Sequence, residues 1–193
     1  MYYVNNKNSN YCETYAHTLD LFTPEECDRI IKQCLELNVV KGLTCDSIQT
    51  DKIRKNNVSW LDPKNEDLQW IYQRCLAAIK DANINIFDYA LTWGEDFQFT
   101  IYDDPKDHYT KHMDSGINGD SATRKLTFSV QLSDPEHYEG SRLLLHTSNN
   151  PIEAKVERGT INFFPSYILH EVTPLISGKR YSLVGWMHGP KFR

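Results

Sequence analysis

Two stretches in the first half of the chain carry apolar residues at helical spacing. The first follows Thr23 and Pro24, an N-cap residue and a proline suited to the first helical turn, with a capping-box glutamate at Glu26. The apolar positions i, i+3, i+4, i+7 and i+8 are Cys27, Ile30, Ile31, Cys34 and Leu35 in the first stretch, and Leu68, Ile71, Tyr72, Cys75 and Leu76 in the second. The second helix is predicted from about Asn65 to just before Asn83. Because each helix has one apolar face, both need a sheet to pack against.

Between these helices, Val58 and Trp60 alternate with polar residues ahead of an Asp-Pro pair. This alternation predicts one strand from Arg54 to Leu61, ended by the proline that follows it.

The second half of the chain has the short alternating runs that are typical of strands. We predict eight of them, at 96–102, 107–113, 124–132, 141–146, 152–156, 159–164, 167–172 and 179–187. Turn-forming pairs such as Asp-Pro, Glu-Gly, Asn-Pro and Ser-Gly separate the runs. Short strands in this number favour two facing antiparallel sheets, as in a jelly roll or cupin-like barrel.

The predicted fold class is therefore mainly β with flanking helices: a double-stranded β-helix of eight antiparallel core strands, with the N-terminal helices packed on one sheet. We expect a single domain over 1–193, since this length supports one substantial core and requires no second one. Within it, 1–17 would be a polar lead-in with room for one short edge strand, 18–90 a helical support region and 91–190 the jelly-roll core.

Composition narrows the classes of partner. Of the 193 residues, 40% are hydrophobic and 12% aromatic, which favours a folded globule, and the net charge of −5 offers no basic surface for nucleic acid or anionic membranes. No apolar run near the N-terminus resembles a signal peptide, and no stretch approaches the roughly 20 apolar residues of a membrane span. We therefore expect a soluble, cytoplasmic protein with no nucleic-acid or membrane partner.

The cysteines are odd in number and include no C-x-x-C pair. We interpret all five, Cys12, Cys27, Cys34, Cys45 and Cys75, as reduced thiols that mostly serve packing.

His112 and Asp114 lie two residues apart in a segment that is predicted to be extended. Side chains at i and i+2 of a strand project from the same face, so this imidazole and this carboxylate can bind one metal ion. A bare H-x-D pair is weak evidence, because an exposed turn with two polar residues has the same pattern. The case strengthens with His170, since two histidines and one carboxylate leave three adjacent positions of an Fe(II) ion open. Arg180, ten residues further on, could take the carboxylate of a chelating co-substrate.

Other histidines compete for the same role. His137 and Glu139 form a second pair of this kind, but they lie in a connection rich in turn residues, and we interpret them as surface residues. His108, His146 and His188 match no part of the ligand pattern and are interpreted as structural or exposed.

Four further residues have two open interpretations. Arg180 and Trp186 share one strand face. Arg180 either binds the co-substrate or forms a buried structural salt bridge. Trp186 either contacts the substrate or packs in the core. Tyr102 and Tyr109 are either site residues or core aromatics whose hydroxyl groups are satisfied.

Taken in order and spacing, these residues resemble the 2-oxoglutarate and Fe(II) dependent dioxygenases, specifically their prolyl 4-hydroxylase-like branch. The similar motifs are Phe-Thr-Pro-Glu-Glu-Cys at 22–27, Gln-Phe-Thr-Ile-Tyr at 98–102, Tyr-Thr-Lys-His-Met-Asp at 109–114, Gln-Leu-Ser-Asp-Pro at 131–135, Phe-Pro-Ser at 164–166, His-Glu-Val-Thr-Pro at 170–174 and Gly-Lys-Arg at 178–180. The resemblance runs from about Thr23 to Pro190, and the last part is most similar to the compact microbial and phage-encoded members.

The resemblance implies a role for each matching residue. It implies iron ligands at His112, Asp114 and His170, a 2-oxoglutarate site at Arg180, Tyr102 and Gln131, and a substrate site at Arg124, Trp186 and Tyr109. There are two departures from the family pattern. Gly140-Ser141 stands where two glycines are usual, and Asp103, Asp104 and Asp107 occupy a loop where glycines are common.

The function implied is hydroxylation of a C–H bond coupled to oxidative decarboxylation of 2-oxoglutarate, with Fe(II) and O2 and with ascorbate as an expected further cofactor. The expected substrate is a proline in an extended polypeptide, and the expected state is a monomer in the cytoplasm, or in the host cytoplasm if the chain is phage-encoded. Two alternatives stay open. One is the same chemistry on a free amino acid, another small molecule or a different protein side chain, and the other is a non-enzymatic cupin-like metal-binding domain.

Overall fold

A computed structural model describes residues 12–43 and 51–191 of the chain. Cys45 and the first eleven residues of the predicted lead-in lie outside the described residues.

Two α-helices form where the apolar stripes predict them. Helix α1 covers Pro24–Leu35, and helix α2 covers Gln69–Ala82 after a short 3-10 turn at Glu66–Leu68. Neither helix, nor any other among the described residues, has the length and apolar character needed to cross a membrane. The capping box of α1 is complete, because Thr23 Oγ1 accepts from the Glu26 amide at 3.2 Å and Glu26 Oε2 accepts from the Thr23 amide at 3.0 Å.

The described residues contain fifteen β-strands. They are β1 (Ala16–Thr18), β2 (Val40–Lys41), β3 (Arg54–Lys55), β4 (Asn57–Trp60), β5 (Trp93–Gly94), β6 (Gln98–Tyr102), β7 (His108–His112), β8 (Arg124–Gln131), β9 (Tyr138–Gly140), β10 (Leu143–Leu145), β11 (Ile152–Glu153), β12 (Ile161–Pro165), β13 (His170–Val172), β14 (Leu175–Gly178) and β15 (Arg180–His188). Each of the eight predicted segments overlaps one of them, and β12 and β15 each extend one residue beyond the predicted end.

The strands form two main antiparallel sheets. The larger has the order β1-β12-β8-β15-β6-β4-β2, with β5 added beside β15, and the smaller has the order β11-β10-β13-β7-β3. Strands β9 and β14 pair separately as a two-stranded ribbon. The predicted fold class, mainly β with antiparallel sheets and flanking helices, is confirmed.

Both helices bury most of their apolar stripes on the larger sheet, while the stripe residues Leu35 and Leu76 stay exposed. The core they share with it includes Cys27, Ile30, Cys34, Ile71, Cys75 and Ile79 from the helices and Phe99, Phe128, Val130, Phe163 and Leu183 from the sheet. Burial raises the pKa of the Cys27 thiol to about 11 and that of Cys34 to about 12, so both stay protonated packing residues. A second apolar cluster draws residues from both sheets and lies between them, with members such as Tyr102, Leu143, Phe164 and Val172.

Two details of the predicted strands are wrong. The single strand expected from Arg54 to Leu61 is two strands, because the chain changes sheets at Asn56: β3 pairs with β7 of the smaller sheet, and β4 pairs with β6 of the larger. The connection that contains His137 and Glu139 includes strand β9, whose Tyr138 is buried. The two polar side chains of that connection are exposed, as predicted.

Gly159 lies where the chain before β12 contacts Phe22, just before α1. Its φ is +83°, its carbonyl accepts from the Phe22 amide at 3.3 Å, and a methyl group on its Cα would overlap the Phe22 carbonyl oxygen. Gly119 is the matched control, with φ +66° and open space around it.

We expect Gly119→Ala to destabilise the protein by about 1–2 kcal/mol through backbone strain alone, and Gly159→Ala to cost about 1–3 kcal/mol more through overpacking. Urea-induced unfolding measures both losses. Equal losses would show that the steric contact with Phe22 contributes nothing.

Candidate metal and co-substrate site

The central feature of the site is a pairing between two strands of the smaller sheet. His112, the last residue of β7, is the register partner of His170, the first residue of β13. Asp114 follows two residues later, and its amide donates to the Ser166 carbonyl at 2.9 Å. One antiparallel pairing therefore brings His112 and His170, which are far apart in the sequence, side by side.

These three side chains present their ligand atoms to one point. The atoms all lie within 4.8 Å of one another, with 3.7 Å from His112 Nε2 to Asp114 Oδ1 and 3.5 Å from His170 Nε2 to Asp114 Oδ2. In the part of the chain that the structure describes, no other group of three His, Cys, Asp or Glu residues converges in this way. Two nitrogen donors and one carboxylate suit Fe(II), so the donor set fits that ion.

Backbone carbonyls orient both imidazoles. His112 Nδ1 lies 2.7 Å from the Thr110 carbonyl, and His170 Nδ1 lies 2.8 Å from the Ile168 carbonyl. A carbonyl only accepts, so each Nδ1 carries the proton and each Nε2 lone pair points toward the shared point. Asp114 Oδ2 accepts from Thr127 Oγ1 at 2.8 Å, which fixes the carboxylate in the same way.

Electrostatics favour the ligand forms of these groups. Burial and the neighbouring His170 lower the pKa of His112 from its ordinary value, so this imidazole is neutral at physiological pH. Burial alone would raise the pKa of Asp114, but His170 and His112 beside it hold the pKa of that carboxyl below its usual range. A metal ion can therefore bind at neutral pH with little proton release from these two residues.

A cavity of about 300 Å³ extends from this point between the two sheets. Along β15, Arg180, Ser182, Val184 and Trp186 line it, while the alternate residues Tyr181 and Leu183 pack toward the helices. This is the face assignment that the alternation of the last strand predicts.

Arg180 lies at one end of the cavity. It is buried, it is the register partner of Tyr102, and its Nε donates to Gln131 Oε1 at 3.1 Å. No carboxylate of the described residues lies within 4.0 Å of this guanidinium, which argues against the alternative of a structural salt bridge. Its Nη atoms remain available for a planar two-oxygen anion.

Gln131, predicted as a co-substrate residue, contacts Arg180. It does not line the cavity, because its amide nitrogen donates to the Ser133 carbonyl and the Tyr138 hydroxyl and its oxygen accepts from Arg180. Its hydrogen bond holds the guanidinium of Arg180 in place.

The opposite end of the cavity carries Arg124, whose partner the sequence did not reveal. Arg124 Nε and Nη2 donate to the two carboxylate oxygens of Glu95, at 2.6 and 2.8 Å, and its Cζ lies 4.2 Å from the Trp186 ring centroid. His188 Nε2 lies 2.8 Å from Glu95 Oε1, and its ring stacks on Trp93 at 3.6 Å. His188 is thus buried and structural, and Glu95 holds Arg124 against the tryptophan.

Tyr109 faces the cavity beside the ligands. Its ring stacks on that of His112 with the centroids 3.5 Å apart. Arg54, which sequence reasoning did not select, has its Cζ 4.7 Å from the same Tyr109 ring and lines the same cavity.

Residues 97–188 match the family model of the 2OG-Fe(II) oxygenase superfamily. Over these residues the chain is similar to this superfamily. Its members work with Fe(II), 2-oxoglutarate and O2, and the histidine, aspartate and arginine side chains of the cavity fit the first two of these.

Curated relatives are PKHD-type hydroxylases. The one from Crocosphaera subtropica is 34% identical over 93 residues, which covers 47% of this chain and 41% of the relative. The one from Hyphomonas neptunium is 37% identical over 84 residues, covering 42% of this chain and 38% of the relative. The matched part thus spans about two fifths of the length of these relatives.

Solved structures share the fold over most of the chain. A prolyl hydroxylase from Trichoplax adhaerens, in complex with a hypoxia inducible factor oxygen degradation domain peptide fragment, has a TM-score of 0.76 at 16% identity, covering 91% of this chain and 83% of that one. A Pseudomonas putida prolyl-4-hydroxylase has a TM-score of 0.70 at 20% identity, covering 92% and 93%. A viral collagen prolyl hydroxylase from Paramecium Bursaria Chlorella virus-1 has a TM-score of 0.66 at 21% identity, covering 92% of this chain and 97% of that one. The double-stranded β-helix is confirmed by these likenesses.

The metal assignment predicts that variants of the ligand residues lose the metal and that variants of His137 and Glu139 keep it. Wild-type protein should bind one Fe(II) per chain under anaerobic conditions, and His170→Ala should weaken binding by more than roughly tenfold, since even changes to residues that only orient ligands cost about that much. His137→Ala and Glu139→Ala are the controls, because both side chains are exposed and far from the cavity lining. Metal analysis after reconstitution measures the stoichiometry. Loss of the metal in the control variants with retention in His112→Ala would place the site elsewhere.

Proposed function

We propose that this protein is a 2-oxoglutarate- and Fe(II)-dependent dioxygenase that hydroxylates a proline residue within a peptide or protein. The observation that carries the proposal is the placement of three metal-ligand side chains and the buried, carboxylate-free Arg180 around one cavity. The metal, when bound, would activate O2 together with the keto acid: one oxygen atom of O2 would enter succinate as the keto acid loses carbon dioxide, and the other would be inserted into an unactivated C–H bond.

The chain's own residues bind and orient the co-substrate. Arg180 pairs with its distal carboxylate, and Gln131 fixes the guanidinium by accepting from Nε. Tyr102 supplies an aromatic wall, with its ring centroid 5.6 Å from the Arg180 Cζ. The apolar side chains of Leu143, Phe164 and Val172 line the same part of the cavity and exclude water from it.

The substrate end supports a peptide. Trp186 and Arg124 form a stacked pair, and Trp60 continues this aromatic wall with its ring 6.2 Å from Trp186. Trp60 is 44% exposed and Leu43 is 47% exposed, although both line the cavity, so the cavity opens to solvent at this end. An open mouth with an aromatic wall suits an extended or polyproline II segment, whose rings and carbonyls are free of internal hydrogen bonds.

The same oxygenase chemistry on a free amino acid or another small molecule is the second candidate. A small substrate would need only the inner part of the cavity, where Tyr109, Thr127 and Arg124 lie. Ascorbate as a reductant, a monomeric state and a cytoplasmic location remain predictions of the sequence.

Trp60→Ala tests the peptide assignment, because this tryptophan is at the mouth and partly exposed, so its removal should leave folding and iron binding intact. We expect proline-rich peptides incubated with Fe(II), 2-oxoglutarate and ascorbate to gain one oxygen atom on proline, and Trp60→Ala to reduce this by roughly tenfold, a loss in the range of one aromatic contact. Leu35→Ala on α1 is the control, since Leu35 is 45% exposed and lies outside the cavity lining.

Mass spectrometry locates the added oxygen. No gain on any proline, together with brisk succinate formation on a free small molecule, would contradict the peptide assignment and favour the second candidate.

A further inference from the structure

Arg54 is a buried cation that the proposed reaction does not use. It is 8% exposed and lines the cavity, and its three hydrogen bonds reach Asn56 Oδ1 at 2.9 Å, the Leu43 carbonyl at 2.8 Å and Gln98 Oε1 at 2.8 Å. All three acceptors are neutral. Among the described residues no carboxylate lies within ion-pair distance of this guanidinium.

The other buried charges of the cavity have partners once the co-substrate is bound. Arg124 is neutralised by Glu95. Arg180 pairs with the distal carboxylate of 2-oxoglutarate under the proposed function, and Asp114 with the remaining keto-acid charge offsets the metal. Lys41 is exposed to solvent. Arg54 also borders a second cavity lined by Asp51, Asp104 and Asp107, but none of these carboxylates is within 4.0 Å of its guanidinium. A buried charge without a close counter-ion is costly.

The position of Arg54 places this charge beside the reacting centre. A single aromatic ring, that of Tyr109, separates it from a metal ligand, with 4.7 Å from the Arg54 Cζ to the ring centroid and 3.5 Å from that centroid to the His112 ring. An anion held by Arg54 would thus lie within roughly two extended residues of the atom that reacts at the metal.

Another polar group that lines this cavity, the Thr100 hydroxyl, has no hydrogen-bond partner among the described residues. Its oxygen is buried. Thr100 lies two residues from Gln98 along β6, so the two side chains share one strand face. Thr100 thus adds a hydroxyl donor to the cavity that Arg54 also lines, and a hydroxyl and a guanidinium can both donate to a carboxylate.

We propose that Arg54 binds a carboxylate of the substrate, so that the preferred substrate is acidic close to the carbon that is hydroxylated. The inference rests on the proposed function. The carboxylate has two sources, the α-carboxylate of a free amino acid and the side chain of an aspartate or glutamate next to the target residue in a peptide. Both present the same planar anion to the guanidinium.

Matched acid and amide probes test this proposal and separate the two sources. One pair is L-proline and L-prolinamide, and the other is a pair of end-capped proline peptides that carry Glu or Gln beside the proline. Succinate formation by the enzyme with Fe(II) and 2-oxoglutarate gives kcat/KM for each probe, and calorimetry gives its affinity for the metal-loaded protein.

Wild-type enzyme should favour the acid of at least one pair over its amide by roughly tenfold or more, as expected for hydrogen bonds to charged groups. Arg54→Gln should lower kcat/KM for the acid to the value for the amide and leave kcat/KM for the amide nearly unchanged. Arg54→Lys should restore part of the preference for the acid. Arg142→Gln is the matched control, because Arg142 forms a partly exposed ion pair with Glu153 at 3.1 Å and does not line the cavity.

Three results would overturn the proposal. One is an equal kcat/KM of the wild type for acid and amide in both pairs. Another is an equal loss of kcat/KM for acid and amide in folded Arg54→Gln and Arg54→Lys protein. The third is a preference that appears only in Asp46→Asn, which would assign the counter-ion to the segment between Leu43 and Asp51. A failure of the proposed function looks different, since the wild type would then form no succinate with any probe.

Discussion

The cross-strand pairing of His112 with His170 is the constraint on which the site depends. It joins β7 to β13 in the smaller sheet and sets two imidazoles side by side. The Thr110 and Ile168 carbonyls then fix their tautomers, and Asp114 completes the set by its own backbone bond to Ser166. Each ligand is thus held by main-chain contacts of a sheet, which gives the precision that a preorganised metal site needs.

The larger sheet contributes much of the rest of the cavity lining, because alternate side chains of its strand β15 point into the cavity. On β15 one set of alternate residues packs against the helices, and the other set runs from Arg180, the proposed co-substrate residue, to Trp186, the proposed substrate residue. A single nine-residue strand therefore fixes the distance between the two proposed binding positions. The helices contribute no residue to the cavity lining, and their role is to cover the other face of this sheet.

The sequence predicted the features that depend on local periodicity and on motifs. The helical stripes, the segments of the strands and the face of Arg180 follow from spacing alone, and the family resemblance assigned roles to the ligand residues. Glu95 and Arg54 were missed because their contacts join residues 29 and 44 positions apart, to Arg124 and Gln98, and no short pattern signals such pairs. His188 carried a weak signal, since it shares its strand face with Trp186. The change of sheet at Asn56 was invisible for a similar reason, because alternation reports the face of a strand and not its pairing partner.

The most direct test of the account is an anaerobic titration of the protein with Fe(II) and 2-oxoglutarate, followed by visible absorption, because a keto acid that chelates Fe(II) gives a charge-transfer band. The account predicts a band in the wild type only when both are present, no band in His170→Ala, and a requirement for roughly tenfold more 2-oxoglutarate in Arg180→Gln, as expected for lost hydrogen bonds to a charged group. Absence of the band in folded wild-type protein, or an unchanged band in His170→Ala, would contradict it.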